Sequence, residues 1–270
     1  MRTHGTPGAR GLRRTVLVGA QVLLLAGCAG TRAAPEHASP TPERPSSAAA
    51  SGARGAPGAP GERAVPAAGP EATAARIPSL GPRTRARLPS DTRQALVVTG
   101  RSVDSNRASA VLYERVAAKG WLPVAGPWPA RNALLGWTTH HRADDLRSPS
   151  GVYTLTDAGG RDPDPGTRLP YDRDPVYGDS GTGFEGEPLD GSFDHVVAID
   201  YNRVPGSPPQ DRRRPMGADR GGGIWLHVDH GGPTQGCVAL PKPRLRTLMR
   251  RLNPALHPVV VMGAGPVLAK

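Results

Sequence analysis

Two reactive side chains stand ten positions apart near the end of this 270-residue chain, an imidazole at His227 and a thiol at Cys237. They lie in Gly223-Ile224-Trp225-Leu226-His227-Val228-Asp229-His230-Gly231-Gly232-Pro233-Thr234-Gln235-Gly236-Cys237-Val238-Ala239-Leu240. An apolar run delivers His227, a glycine-proline turn follows, and Thr234-Gln235-Gly236-Cys237 leads into a second apolar run. A thiol acts as a nucleophile when its thiolate is favoured and an acyl carbonyl can approach. An imidazole within reach serves it as ion-pair partner and proton shuttle. Gly236, with no side chain, lets a substrate close on the backbone, where the N–H groups of Gly236 and Cys237 can stabilise an oxyanion. A hairpin-like return from His227 to Cys237 is expected to bring the two side chains together.

Other chemistries fit the same residues less well. A buried inert thiol and a satisfied core histidine are the plain alternatives. The Thr-x-Gly before the cysteine and the histidine upstream argue for chemistry. His227, Asp229, His230 and Cys237 are zinc-ligand types, but their spacing matches no common zinc signature. On a strand His227 and Asp229 share a face and His230 points away. His230 replaces His227 as base if the strand ends early. No metal or cofactor is expected. Asp172, Asp174, Asp179, Glu185 and Glu187 lack the spacing of an EF-hand loop and read as solvated. His140 and His141 read as solvent-facing, and Arg212, Arg213 and Arg214 as an exposed charge run.

The elements that must hold this site read as mainly β. Short runs bounded by turn residues predict strands at Gln94–Thr99, Ala110–Val116, Trp121–Val124, Leu134–Thr138, Val152–Leu155, His195–Tyr201, Ile224–Val228 and Pro258–Met262. The alanines of 108–119 also suit a helix, but alternation across Val111, Tyr113 and Arg115 favours a strand. Leu245, Leu248, Met249 and Leu252 form one apolar stripe and predict a helix over about 241–253. The expected architecture is a sandwich or barrel-like body with that one helix. Residues 157–192 form an Asp/Pro/Gly-rich stretch with no clear element, and loops of that length are usually functional or mobile.

Composition divides the chain. Glycine (35) and proline (31) are abundant and aromatic residues make only 4%, so part of the chain is expected to stay unfolded. The net charge of +11 sits mostly in residues 1–90, which carry 12 Arg against 4 Glu. The remainder is nearly balanced and has no basic helix or stripe, which excludes nucleic acid as the expected partner. Residues 1–28 have the basic start and short apolar run of a secretory signal. Leu25-Ala26-Gly27-Cys28 resembles the bacterial lipoprotein box, which implies lipidation at Cys28 and an anchor in a membrane. Residues 29–90, rich in Ala, Pro, Gly, Ser and Arg, read as a disordered tether, and residues 91–270 as the catalytic domain. Acylation of Cys28 would exclude a Cys28–Cys237 disulfide and leave Cys237 a lone thiol.

Over about residues 92–265 the chain resembles the catalytic domain of the L,D-transpeptidases, bacterial enzymes that cross-link peptidoglycan. The likeness rests on His227 at the end of an apolar strand and on Thr234, Gly236, Cys237 and Val238. Arg147-Ser148-Pro149-Ser150-Gly151-Val152-Tyr153 also resembles the family's Arg/Lys-Thr-Pro-x-Gly-x-Phe/Tyr segment. Three departures mark a shorter-loop branch: Gln235 where the family commonly has His, Ala239 where it has Arg or Asn, and a shorter His-to-Cys spacing. The resemblance implies Cys237 as the acylated nucleophile and His227 as general base and acid. It implies that the Val228 carbonyl orients the imidazole, with the Asp229 side chain as alternative. Thr234 would support the loop, and Gly236 and Cys237 would form part of the oxyanion hole. Gln235, His230 and Asp229 are the candidate substrate contacts.

The implied substrates are peptidoglycan stem peptides. The implied reaction is acyl transfer through a Cys237 thioester to give 3-3 cross-links, with carbapenem-type β-lactams as expected inhibitors. The implied location is the outer face of the cell membrane, facing the wall. A cysteine hydrolase of wall peptides and a non-catalytic wall-binding lipoprotein are the alternatives.

Overall fold

The structure, a computed structural model, describes residues 76–270. The signal segment with Cys28 and most of the expected tether lie outside the described residues.

The β-branched and aliphatic runs become twelve strands among the described residues. They are β1 (Gln94–Gly100), β2 (Arg107–Val116), β3 (Gly120–Arg131), β4 (Trp137–Thr138), β5 (Ser148–Pro149) and β6 (Gly151–Thr154), then β7 (Ala158–Gly160), β8 (Tyr171–Arg173), β9 (Val196–Ala198), β10 (Trp225–Val228), β11 (Val238–Leu240) and β12 (Val259–Ala264). Three helices accompany them: α1 (Pro82–Arg85), α2 (Lys242–Arg251) and α3 (Gly265–Leu268). The fold is mainly β. Ten strands form one mixed sheet in the order β6-β12-β1-β2-β3-β11-β10-β9-β7-β8, and β4 pairs with β5 in a small parallel sheet. Each of the eight expected strand segments contains a strand, and the alanine-rich segment is strand β2. The apolar stripe after Pro241 is helix α2, with Leu245, Leu248 and Met249 buried against the core. The stretch 157–192 is not bare loop. It contributes β7 and β8, paired in parallel, and a 3-10 turn at Pro175–Tyr177.

Strands β1 and β12 are apolar at nearly every position because both faces of the sheet are covered there. They run parallel, with Ala95 opposite Val259 and Val97 opposite Val261. Leu96, Val98, Val260 and Met262 face the main core. Ala95, Val97, Val259 and Val261 face a second cluster closed by Ile77, Leu80 and Leu268. This moves one expected boundary. Residues 76–90, read from composition as the end of the tether, are part of the folded body. Ile77 and Leu80 are only 1% and 2% exposed, and Arg83 N–H donates to the carbonyl of Lys270 at 2.9 Å. The apolar positions 77, 80 and 88 were too sparse among Pro, Ser and Arg to stand out as an element.

The sheet has a narrow waist. Strands β3 and β11 are joined by one registered pair, Ala239 opposite Arg131. Arg131 Nε also meets the Asp229 carboxylate at 3.2 Å, beside the end of β10.

Leu80→Ala is expected to lower unfolding stability by about 2–5 kcal/mol through lost burial and the cavity left behind. Urea titration of the two proteins measures this. An unchanged midpoint would show that the cover over β1 and β12 is dispensable.

Candidate active site

The site is set by strands β10 and β11. They run parallel, with Leu226 opposite Val238, His227 opposite Ala239 and Val228 opposite Leu240. The connection is therefore a crossover and not the expected hairpin. Parallel neighbours usually need a connection of a dozen or more residues. Nine suffice here, Asp229 to Cys237, because strands of four and three residues leave roughly 10 Å to retrace at about 3.3 Å per residue. Side chains alternate across a strand. Leu226, Val228, Val238 and Leu240 point into the core. Trp225, His227 and Cys237 take the opposite face, and Cys237 lies two positions before Ala239, the residue that pairs with His227.

His227 and Cys237 both line a cavity of about 600 Å³, the size of an ordinary small-ligand site. Its walls also include Gly221–Gly223, Ile224 and the turn Pro233–Gly236. The thiol rests between two backbone groups. Trp225 N–H donates to Sγ at 3.4 Å, and the thiol donates to the Gly223 carbonyl at 3.6 Å. The imidazole Nδ1 lies 2.9 Å from the Val228 carbonyl oxygen. A carbonyl only accepts, so Nδ1 carries the proton and Nε2 is left as the basic nitrogen. Phe193 meets the ring edge-on at 5.3 Å, and His230 lies parallel to it at 5.7 Å.

Burial governs the charges of both groups. It pushes the Cys237 thiol up to about 11, against a smaller opposing effect of the Trp225 N–H. It pushes His227 down to about 4, only partly offset by the bond to the Val228 carbonyl. Both groups are neutral, the thiol bonded to main chain and the imidazole to the Val228 carbonyl, with no hydrogen bond between the two among the described residues. The ion pair expected from the sequence is disfavoured because no counter-charge stands against the thiol and burial penalises the charged form of both groups.

The turn before the thiol is braced on all sides. The Thr234 hydroxyl donates to the Cys237 carbonyl at 2.7 Å, and the Ser148 hydroxyl donates to the same oxygen at 3.3 Å. Thr234 N–H donates to the Asn132 carbonyl at 3.1 Å. Gly236 is packed so closely that a Cβ there would lie 2.9 Å from Ile224 Cδ1. Gln235 is exposed and borders the cavity. Asp229 does not face it. Its carboxylate is engaged by Arg131 and by the Gly231 N–H, while the His227 ring takes the Val228 carbonyl. His230 does not point away, because β10 ends at Val228 and the turn brings its ring over His227.

Several cavity residues were not legible in the sequence. His140 is exposed as expected, but His141 is 5% exposed and lines the cavity. Its Nδ1 lies 2.9 Å from Asp145 Oδ1, and burial lowers its pKa more than Asp145 raises it. The only signal was a carboxylate four residues downstream. The acidic stretch expected to be solvated supplies one wall through Asp179, Thr182, Phe184 and Leu189. Glu187 Oε1 from this segment faces His230 Nδ1 at 3.1 Å. Burial opposes ionisation of Glu187, but backbone N–H groups and His230 outweigh it and hold its pKa below the usual range. Arg214 also lines the cavity and is half-buried, unlike Arg212 and Arg213.

A family model, the YkuD L,D-transpeptidase catalytic domain, matches residues 91–261. No curated protein and no solved structure matches the chain.

Alkylation of Cys237 by iodoacetamide follows the thiolate fraction. With the thiol at about 11, the rate is expected to rise about tenfold per pH unit from neutral pH to about pH 10. Rapid-quench mass spectrometry across that range checks it. A plateau at neutral pH would mean that an ion pair forms after all.

Proposed function

The chain belongs to the L,D-transpeptidase catalytic-domain family, and from that membership in a family of peptidoglycan metabolism we propose that it transfers acyl groups between peptidoglycan stem peptides through a Cys237 thioester. One arrangement carries the proposal. A thiol and an imidazole stand on the same face of adjacent parallel strands and open into one cavity.

The steps follow from the neutral resting pair. A stem tetrapeptide places the carbonyl of its third residue against Sγ. As sulfur bonds to the carbonyl carbon, the thiol proton passes to Nε2 of His227. Negative charge gathers on the carbonyl oxygen, where the backbone N–H groups of Gly236 and Cys237 act as the oxyanion site. The carbon–nitrogen bond to the terminal D-alanine then breaks, and His227 gives its proton to the leaving amine. The side-chain amine of a diamino acid on a second stem attacks the thioester, passes a proton to His227 and forms the 3-3 amide. The proton returns to sulfur as the thiol is released.

Lipidation at Cys28 and placement at the outer face of the membrane belong to the same proposal. The signal-like residues 1–28 and the Leu-Ala-Gly-Cys segment support them.

Incubation with a carbapenem is expected to add the mass of one acyl adduct to the wild type and none to Cys237→Ser. His227→Ala is expected to slow acylation about 10²–10⁴-fold. With disaccharide tetrapeptides, cross-linked dimer is the expected product. Shortened monomer alone would indicate hydrolysis. Absence of both the adduct and any new muropeptide would remove the enzymatic reading.

A further inference from the structure

The cavity contains one permanent cation among the described residues, Arg214. Its guanidinium lies along the glycine run that floors the thiol. A Cβ on Gly222 would overlap Arg214 Nε at 2.2 Å, and one on Gly223 would lie 3.5 Å from Nη2. The thiol touches the same residue, donating to the Gly223 carbonyl at 3.6 Å. The guanidinium and the sulfur thus rest against one glycine. Arg214 is held by main chain, with Nη1 donating to the carbonyls of Asp211 at 3.0 Å and Arg213 at 2.9 Å. No carboxylate pairs with it among the described residues. Its neighbour Arg213 takes the Asp211 carboxylate instead, outside the cavity. Asp144 and Asp179 also line the cavity but form no ion pair with Arg214. A planar guanidinium with its outer edge unpaired suits a bidentate carboxylate.

Resting on the proposed donor, we infer that Arg214 binds the free terminal carboxylate of the stem tetrapeptide, that of the residue that leaves. Covalent geometry fits. In a peptide the terminal carboxylate oxygens lie about 4–5 Å from the preceding carbonyl carbon. A carbonyl seated on Sγ therefore projects the carboxylate across about one residue's width, and Gly223 is the residue that both thiol and guanidinium adjoin. Arg214 reaches the cavity from the loop between β9 and β10. Its role is recognition and alignment of the donor, with no proton transfer.

Protection of Cys237 from iodoacetamide tests this without requiring turnover. The full-length protein is titrated with a tetrapeptide stem bearing a free C-terminal carboxylate, and with the same peptide as a C-terminal carboxamide. The wild type is expected to be protected by the acid at about ten- to hundredfold lower concentration than by the amide. Arg214→Gln is expected to lose that discrimination, with protection in each protein expressed relative to its own unprotected alkylation rate. Arg214→Lys is expected to recover part of it. Where turnover is measured, Arg214→Gln raises KM for the acid donor more than it lowers kcat. Equal protection by acid and amide in the wild type, or discrimination retained in Arg214→Gln, overturns the inference and leaves the thioester chemistry standing. Failure of both peptides to protect the wild type overturns the donor and this inference together.

Discussion

The parallel pairing of β10 with β11 is the constraint from which the site follows. Its register places Leu226, Val228, Val238 and Leu240 in the core, and each such burial contributes about 1.5–3 kcal/mol. A slip of one residue in either strand would exchange its faces. It would drive His227 or Cys237 into hydrocarbon and turn aliphatic side chains into the cavity. Hydrophobic burial on one face therefore fixes which polar groups meet on the other. The strands' shortness belongs to the same device, because it allows nine residues to carry the chain back and present the thiol beside Trp225.

The burial that fixes the register also sets the reactivity. Burial around thiol and imidazole disfavours both charges, so the proton stays on sulfur. In the proposed reaction nucleophilicity would then depend on a substrate that accepts charge as it forms. The surroundings suit such a coupled step. The Val228 carbonyl fixes the tautomer with the basic nitrogen free, and Phe193 and His230 hold the ring on two sides. Thr234 and Ser148 fix the Cys237 carbonyl from two different chain segments. A neutral resting thiol is also poorly reactive toward stray electrophiles, an advantage for a lone cysteine in the exported setting proposed here.

The period-two and period-3.6 apolar patterns made most strands and helix α2 legible, because burial imposes them locally. The Thr-x-Gly-Cys turn and the upstream histidine were legible because they lie on two consecutive strands. Three features were not. The parallel sense of β10 and β11 depends on strand length, which an apolar run delimits poorly. The packing of Ile77 and Leu80 depends on β1 and β12 needing a second cover, a tertiary requirement without local signature. His141 and Arg214 come to the cavity from loops whose polar composition reads as solvent-facing. Each is placed by main-chain contacts or by a single carboxylate that only the folded chain brings near.

The segment before β9 joins these observations. Its Glu187 sits against His230, and His230 stacks on His227, so the cavity wall is coupled to the imidazole through one stacked ring. The same segment brings Phe184 and Leu189 to the cavity, and Phe193 closes it behind His227. For a thioester the choice between amine and water depends on which reaches the carbonyl first. In the proposed reaction, apolar side chains at that wall would disfavour water more than a long, flexible side-chain amine. The apolar side chains would exclude solvent, while Glu187 holds the wall in place. That division of labour explains why an acidic, proline-rich stretch with little regular structure is folded against the site.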